Sequence, residues 1–105
     1  MALAKECYFV SRAFPREELF GLTSQLRRAA VSTATNIAEG NGLAHRRAYL
    51  NHLSMSRGSL NEVETLLELA TLLGFTSTET TKPALALASE VGKLLTLLRR
   101  SLSRD

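Results

Sequence analysis

The stretch Leu87-Ala88-Ser89-Glu90-Val91-Gly92-Lys93-Leu94-Leu95-Thr96-Leu97-Leu98-Arg99-Arg100-Ser101-Leu102 decides the fold class. Within it Leu87, Ala88, Val91, Leu94, Leu95, Leu98 and Leu102 recur at steps of three and four, the interval that stacks side chains on one face of an α-helix. A comparable stripe, Leu50, Leu53, Leu60, Val63, Leu67 and Ala70, runs through residues 43–73, and Leu66, Leu69, Leu72 and Leu73 widen it toward its end. Residues 16–39 carry Leu19, Leu22, Leu26, Ala29, Thr33 and Asn36 at heptad-like steps. The second half of that segment is rich in Ala, Ser and Thr, whose small side chains let another helix come close.

Three breaks separate these segments. Phe14-Pro15 suits a helix start, because proline forces the preceding residue out of the α region. Gly40-Asn41-Gly42 reads as a stop with a left-handed residue. From Gly74 to Thr81, four threonines and a serine favour caps over helix interior. The last helix has two possible starts: Thr76 with Glu79 fits a capping box but would place Pro83 beyond the first turn, and a cap at Thr80 or Thr81 avoids that cost. The four helices are then 2–13, 16–39, 43–73 and 79–102. The expectation is an all-α, antiparallel up-and-down four-helix bundle with a shortened first helix, one domain over residues 1–105. At about a dozen residues the first helix cannot cover partners roughly 36–45 Å long. Apolar surface left bare there, with the small-residue face of the second helix, argues for self-association.

Hydrophobic residues make up 45% and charged residues 22%, which argues against disorder and fibrous repeats. No apolar run approaches the roughly 20 residues that span a bilayer. Lys5 and Glu6 inside the first ten residues argue against a signal peptide or membrane anchor. Cys7, alone in the sequence, has no disulfide or thiolate-metal partner, which fits a reducing, cytoplasmic compartment.

Thirteen Lys and Arg against ten Asp and Glu give a net charge of +3, and its distribution is uneven. From Arg27 to Arg57 there are five arginines, Arg27, Arg28, Arg46, Arg47 and Arg57, and a single acid, Glu39. These five are the candidate nucleic-acid-binding residues, since guanidinium forks match phosphate oxygens. Tyr49 is the one aromatic among them, and no recognition helix-turn-helix or RNA-binding sheet is apparent, so any contact would be backbone-directed. Arg57 stands within the stripe Arg46, Leu50, Leu53, Arg57, Leu60 and needs a partner, with Glu62, Glu64 and Gln25 as candidates for a purely structural role. Arg99, Arg100 and Arg104 are accounted for by the negative end of the last helix dipole. If the second and third helices turn back at Asn41-Gly42, residues whose numbers sum to about 84 face each other. Glu39 would then lie near His45 and Arg46, Ser32 near His52, and Arg28 near Arg57.

His45 and His52, two turns apart, cannot share one metal without further ligands. No Glu-x-x-His pair, nucleophile with a base at motif spacing, P-loop or dinucleotide fingerprint occurs. The sequence therefore points away from an enzyme, a cofactor and a metal.

The run Phe14-Pro15-Arg16-Glu17-Glu18-Leu19-Phe20-Gly21-Leu22-Thr23-Ser24-Gln25-Leu26-Arg27-Arg28-Ala29-Ala30-Val31-Ser32 is followed by Asn36-Ile37-Ala38-Glu39-Gly40. Farther on come Arg57-Gly58-Ser59-Leu60 with Glu62 and Glu64, then Leu72-Leu73-Gly74-Phe75. Together they resemble the bacterial four-helix-bundle family first met as proteins encoded in intervening sequences of 23S ribosomal RNA genes. The resemblance implies an antiparallel bundle assembled as a ring-like homopentamer. It also implies kinship with accessory factors of diversity-generating retroelements, basic nucleic-acid-binding partners of a reverse transcriptase. Family members usually carry more helix before the position of Cys7-Tyr8. The combined expectation is a non-enzymatic homo-oligomer, a pentamer by the resemblance, that binds RNA or DNA as an accessory factor and works with a nucleic-acid-processing protein. The alternative is an interaction scaffold that binds no nucleic acid.

Overall fold

The computed structural model describes residues 2–42 and 45–102. The helices are α1 (Ala2–Ser11), α2 (Leu22–Asn41), α3 (Arg46–Leu72) and α4 (Thr78–Leu102), with a single 3₁₀ turn at Arg16–Glu18. The stretch 16–39 is therefore not one helix. Glu18 Oε1 accepts the Leu22 backbone N–H at 3.1 Å and so supplies a first-turn partner for α2. Gly21 makes room for it, since a Cβ there would lie 3.0 Å from that same oxygen.

The other ends also depart from expectation. The left-handed residue falls at Gly74 (φ 79°), while Gly42 keeps a right-handed φ of −86°. At Gly74 the chain closes α3 with Phe75 N–H donating to Ala70 O at 2.9 Å and Gly74 N–H to Thr71 O at 3.0 Å, the paired bonds of a Schellman stop. Helix α4 starts earlier than Thr80, because Ser77 Oγ accepts the Thr80 N–H at 3.1 Å. Pro83 consequently lies inside α4, on its exposed side.

Each helix packs on its sequence neighbours and α4 returns to α1, so the four close into a ring with antiparallel neighbours. Leu26, Leu53, Leu60, Leu67, Val10 and Val63 are essentially sealed at its centre, in one continuous core. Each such leucine contributes about 1.5–3 kcal/mol of burial. Phe14 and Phe75, 6.1 Å apart and tilted at 50°, tie the two connecting segments together.

Helix α1 is half the length of α2 and shorter still than α3 and α4. Its brevity shows on α4. Of that helix's stripe only Ala88 and Leu95 are fully covered, Leu87, Val91, Leu98 and Leu102 are half-buried, and Leu94 is exposed. Beyond the start of α1 an apolar groove of about 460 Å³ opens between α2 and α4, with Ala30, Ala34 and Ala38 on one wall and Leu87, Val91 and Leu94 on the other. No described helix is long and apolar enough to cross a membrane. Cys7 is sealed in the core, where loss of solvation and then the nearby Glu6 charge push its thiol up to about 12.

Candidate nucleic-acid interface

The α2–α3 hairpin fixes where the arginines stand. Ser56 Oγ donates to Thr33 O at 2.7 Å, His52 Nδ1 meets Asn36 Oδ1 at 3.0 Å, and Ser59 Oγ donates to Ser32 Oγ at 2.9 Å. Facing residues therefore have numbers summing to about 90, not 84. The reason is the connection: α2 runs on to Asn41 and α3 starts only at Arg46, so the turn is centred beyond Asn41-Gly42. For a given α2 residue the partner on α3 moves on by nearly two turns. Ser32 meets Ser59 instead of His52, and Glu39 reaches the His52 ring at 3.9 Å instead of His45 or Arg46. Arg28 shares a groove with Ser59 and Glu62, away from Arg57.

Arg57 turns the other way, onto α4. Its Nη2 donates to Gly92 O at 2.8 Å and to Thr96 Oγ1 at 2.9 Å. None of the partners expected for it, Glu62, Glu64 or Gln25, is involved. Gly92 allows the approach, since a Cβ there would stand 3.1 Å from Arg57 Nη1. Two neutral oxygens hold the cation in place without cancelling its charge.

Around Arg57 the α3–α4 seam gathers further cations. An open groove of about 560 Å³ is lined by Arg57, Lys93 and Arg100, with Leu60 and Ala88 beneath, Leu97 and Ser89 at the rim, and Glu64 at one end. Farther along, Arg99 Nη1 donates to Ser54 Oγ at 2.9 Å, and Arg46 Nη1 donates to Leu102 O at 3.0 Å. Arg46 and Arg47 occupy the first turn of α3, where the helix dipole disfavours positive charge and no acid sits. Among the described residues no carboxylate pairs with Arg28, Arg47, Arg57 or Arg100.

The five arginines singled out from the sequence thus do not form one patch. Arg57 and Arg46 belong to the α3–α4 seam, with Arg47 at its open end. Arg28 is exposed on the opposite side of α3. Arg27 is tied to α1, its Nε donating to Ser11 Oγ at 2.8 Å and its guanidinium lying over Tyr8 at 4.6 Å from the ring centroid. Sequence reasoning misses Lys93, Arg99 and Arg100 as site residues, because a helix dipole suffices to explain the two arginines. The signal that could have found them is the lone glycine at 92, a gap opposite an arginine in an apolar stripe. Arg104 lies outside the described residues. His45 sits exposed just before α3 and takes no part in the His52–Asn36 contact.

A model of the 23S rRNA-intervening sequence protein family matches residues 1–97. The chain belongs to the 23S rRNA-intervening sequence protein family. The match covers all of α1, α2 and α3 and most of α4, so Arg57 and Lys93 of the cationic groove lie within it and Arg100 lies beyond it. No curated protein matches the chain.

Proposed function

We propose that this member of the family is a non-enzymatic, homo-oligomeric bundle, pentameric when assembled, that binds RNA or DNA by its phosphate backbone as an accessory to a nucleic-acid-processing protein in the cytoplasm. The observation that carries this reading is the α3–α4 groove. Three cations, Arg57, Lys93 and Arg100, line it, and no described carboxylate pairs with them. Placing like charges together lowers stability and raises affinity for anions. Arg47, set against its own helix dipole, extends the same field. One groove offers only a few phosphate contacts, each weak at moderate salt. Repetition around an oligomer multiplies them by effective concentration.

A scaffold without nucleic-acid binding has its own support in the uncovered apolar groove beside α1. That surface suits contact between copies or with another protein. Light scattering separates the two readings. A mass near five protomers that grows with a mixed pool of short RNA and DNA at low salt, and falls back as salt rises, supports the accessory reading. An oligomer of constant mass under all conditions supports the scaffold, and a monomer contradicts both.

A further inference from the structure

We infer that the α3–α4 groove takes one strand of nucleic acid rather than a duplex, with phosphates on Lys93, Arg57 and Arg100 and a base laid against Leu97. This rests on the nucleic-acid reading above and adds to it the kind of strand and the mode of contact.

On α4, Lys93, Leu97 and Arg100 are spaced by four and three residues and form a single stripe: charge, apolar surface, charge. Leu97 is 62% exposed, between two exposed cations. Lys93 and Arg100 are two helical turns apart, roughly 10.5 Å, which leaves space between the charges for something uncharged. Across the groove Arg57 is anchored through Nη2 alone, so Nε and Nη1 have no partner among the described residues. Buried Leu60 and Ala88 make the floor apolar.

A duplex keeps its bases stacked inside and offers this stripe only phosphate and sugar, which leaves Leu97 in water. A single strand offers both charge and a flat apolar face, in alternation. Glu64 closes one end of the groove and repels phosphate there, so the strand runs toward Arg100 and the start of α3. No aromatic lines the groove, so base contact is apolar packing, and the preference for single strand should not exceed about fivefold, the low end for a base stacked on an aromatic ring.

Fluorescence anisotropy on the full chain tests this with a mixed-sequence single-stranded RNA, the same RNA as a duplex, and inorganic polyphosphate as a base-free anion. The wild type should bind the single strand up to about fivefold more tightly than the duplex. Leu97→Ser should weaken single-strand binding several-fold and leave duplex and polyphosphate binding as they were. Lys93→Ala with Arg100→Ala should weaken all three. Equal affinity for single strand and duplex removes the strand inference while the nucleic-acid reading stands. A change in oligomer mass in Leu97→Ser, with affinity intact, assigns the stripe to a contact between copies and overturns the inference. Binding of polyphosphate without either RNA, or of none of the three, overturns the nucleic-acid reading itself.

Discussion

Along α2–α3 the hydrogen-bonded and close-packed groups are short and neutral: Ser56 against the Thr33 carbonyl, Ser59 against Ser32, Gly40 beneath Tyr49 and His52. Along α3–α4 the connecting side chains are long and cationic: Arg57 on Gly92 and Thr96, Arg99 on Ser54, Arg46 on the Leu102 carbonyl. The first seam brings two backbones close, and the groove at its edge, beside Arg28, carries Glu62 as well. The second spans a wider gap with guanidinium groups that reach across an open groove. One helix, α3, thus has a structural side and a cationic side, and the difference comes from side-chain length as much as from charge.

Gly40→Val should show the largest effect. A Cβ at Gly40 would stand 2.8 Å from Tyr49 Cδ1 and 3.0 Å from His52 Cβ, and a branched side chain adds more bulk there. Overpacking of about 2–3 kcal/mol is expected, read as a drop in the denaturation midpoint. Tolerance of valine there would show that the α2–α3 seam is looser than its distances state.

The serines sharpen the contrast. Ser56 is fully buried, and Ser56→Ala should cost about 1 kcal/mol by removing the bond to Thr33 O. Ser54→Ala removes the exposed partner of Arg99 and should stay within about 0.5 kcal/mol in urea unfolding. Equal costs would erase the distinction between the two seams.

An effect of opposite sign is expected at Gly92. There an added Cβ meets Arg57 Nη1 at 3.1 Å, the movable end of a flexible side chain. Gly92→Ala should gain up to about 1 kcal/mol of helix propensity, and Gly58→Ala, where nothing lies within 4 Å, should gain a similar amount. Of these two, only Gly92→Ala should alter nucleic-acid affinity, because it displaces the Arg57 guanidinium.

The bundle itself is legible in the sequence because its apolar stripes keep helical spacing, and Leu22, Leu26, Ala29 and Thr33 are all buried as their steps require. The split of residues 16–39 is not, since it depends on a side-chain cap from Glu18 that has no periodic signature. The candidate site is legible by residue type but not by place. A shift of six in the α2–α3 register carries Arg28 to the other side of α3 from Arg57. The partners of Arg57 come from α4, which the geometry of the hairpin alone does not supply. Tyr8 reaches Arg27 through the packing of α1 on α2, so local counting of aromatics misses that ring as well.

The most direct measurement is the slope of log affinity against log salt for single-stranded RNA, taken for the wild type, for Arg28→Ala, and for Lys93→Ala with Arg100→Ala. Removing one phosphate interaction with a single strand should lower the slope by about 0.7, so the double variant should fall by about 1.4 and exceed the change in Arg28→Ala. A double variant with the wild-type slope would contradict the account, because the α3–α4 groove would then hold no phosphate.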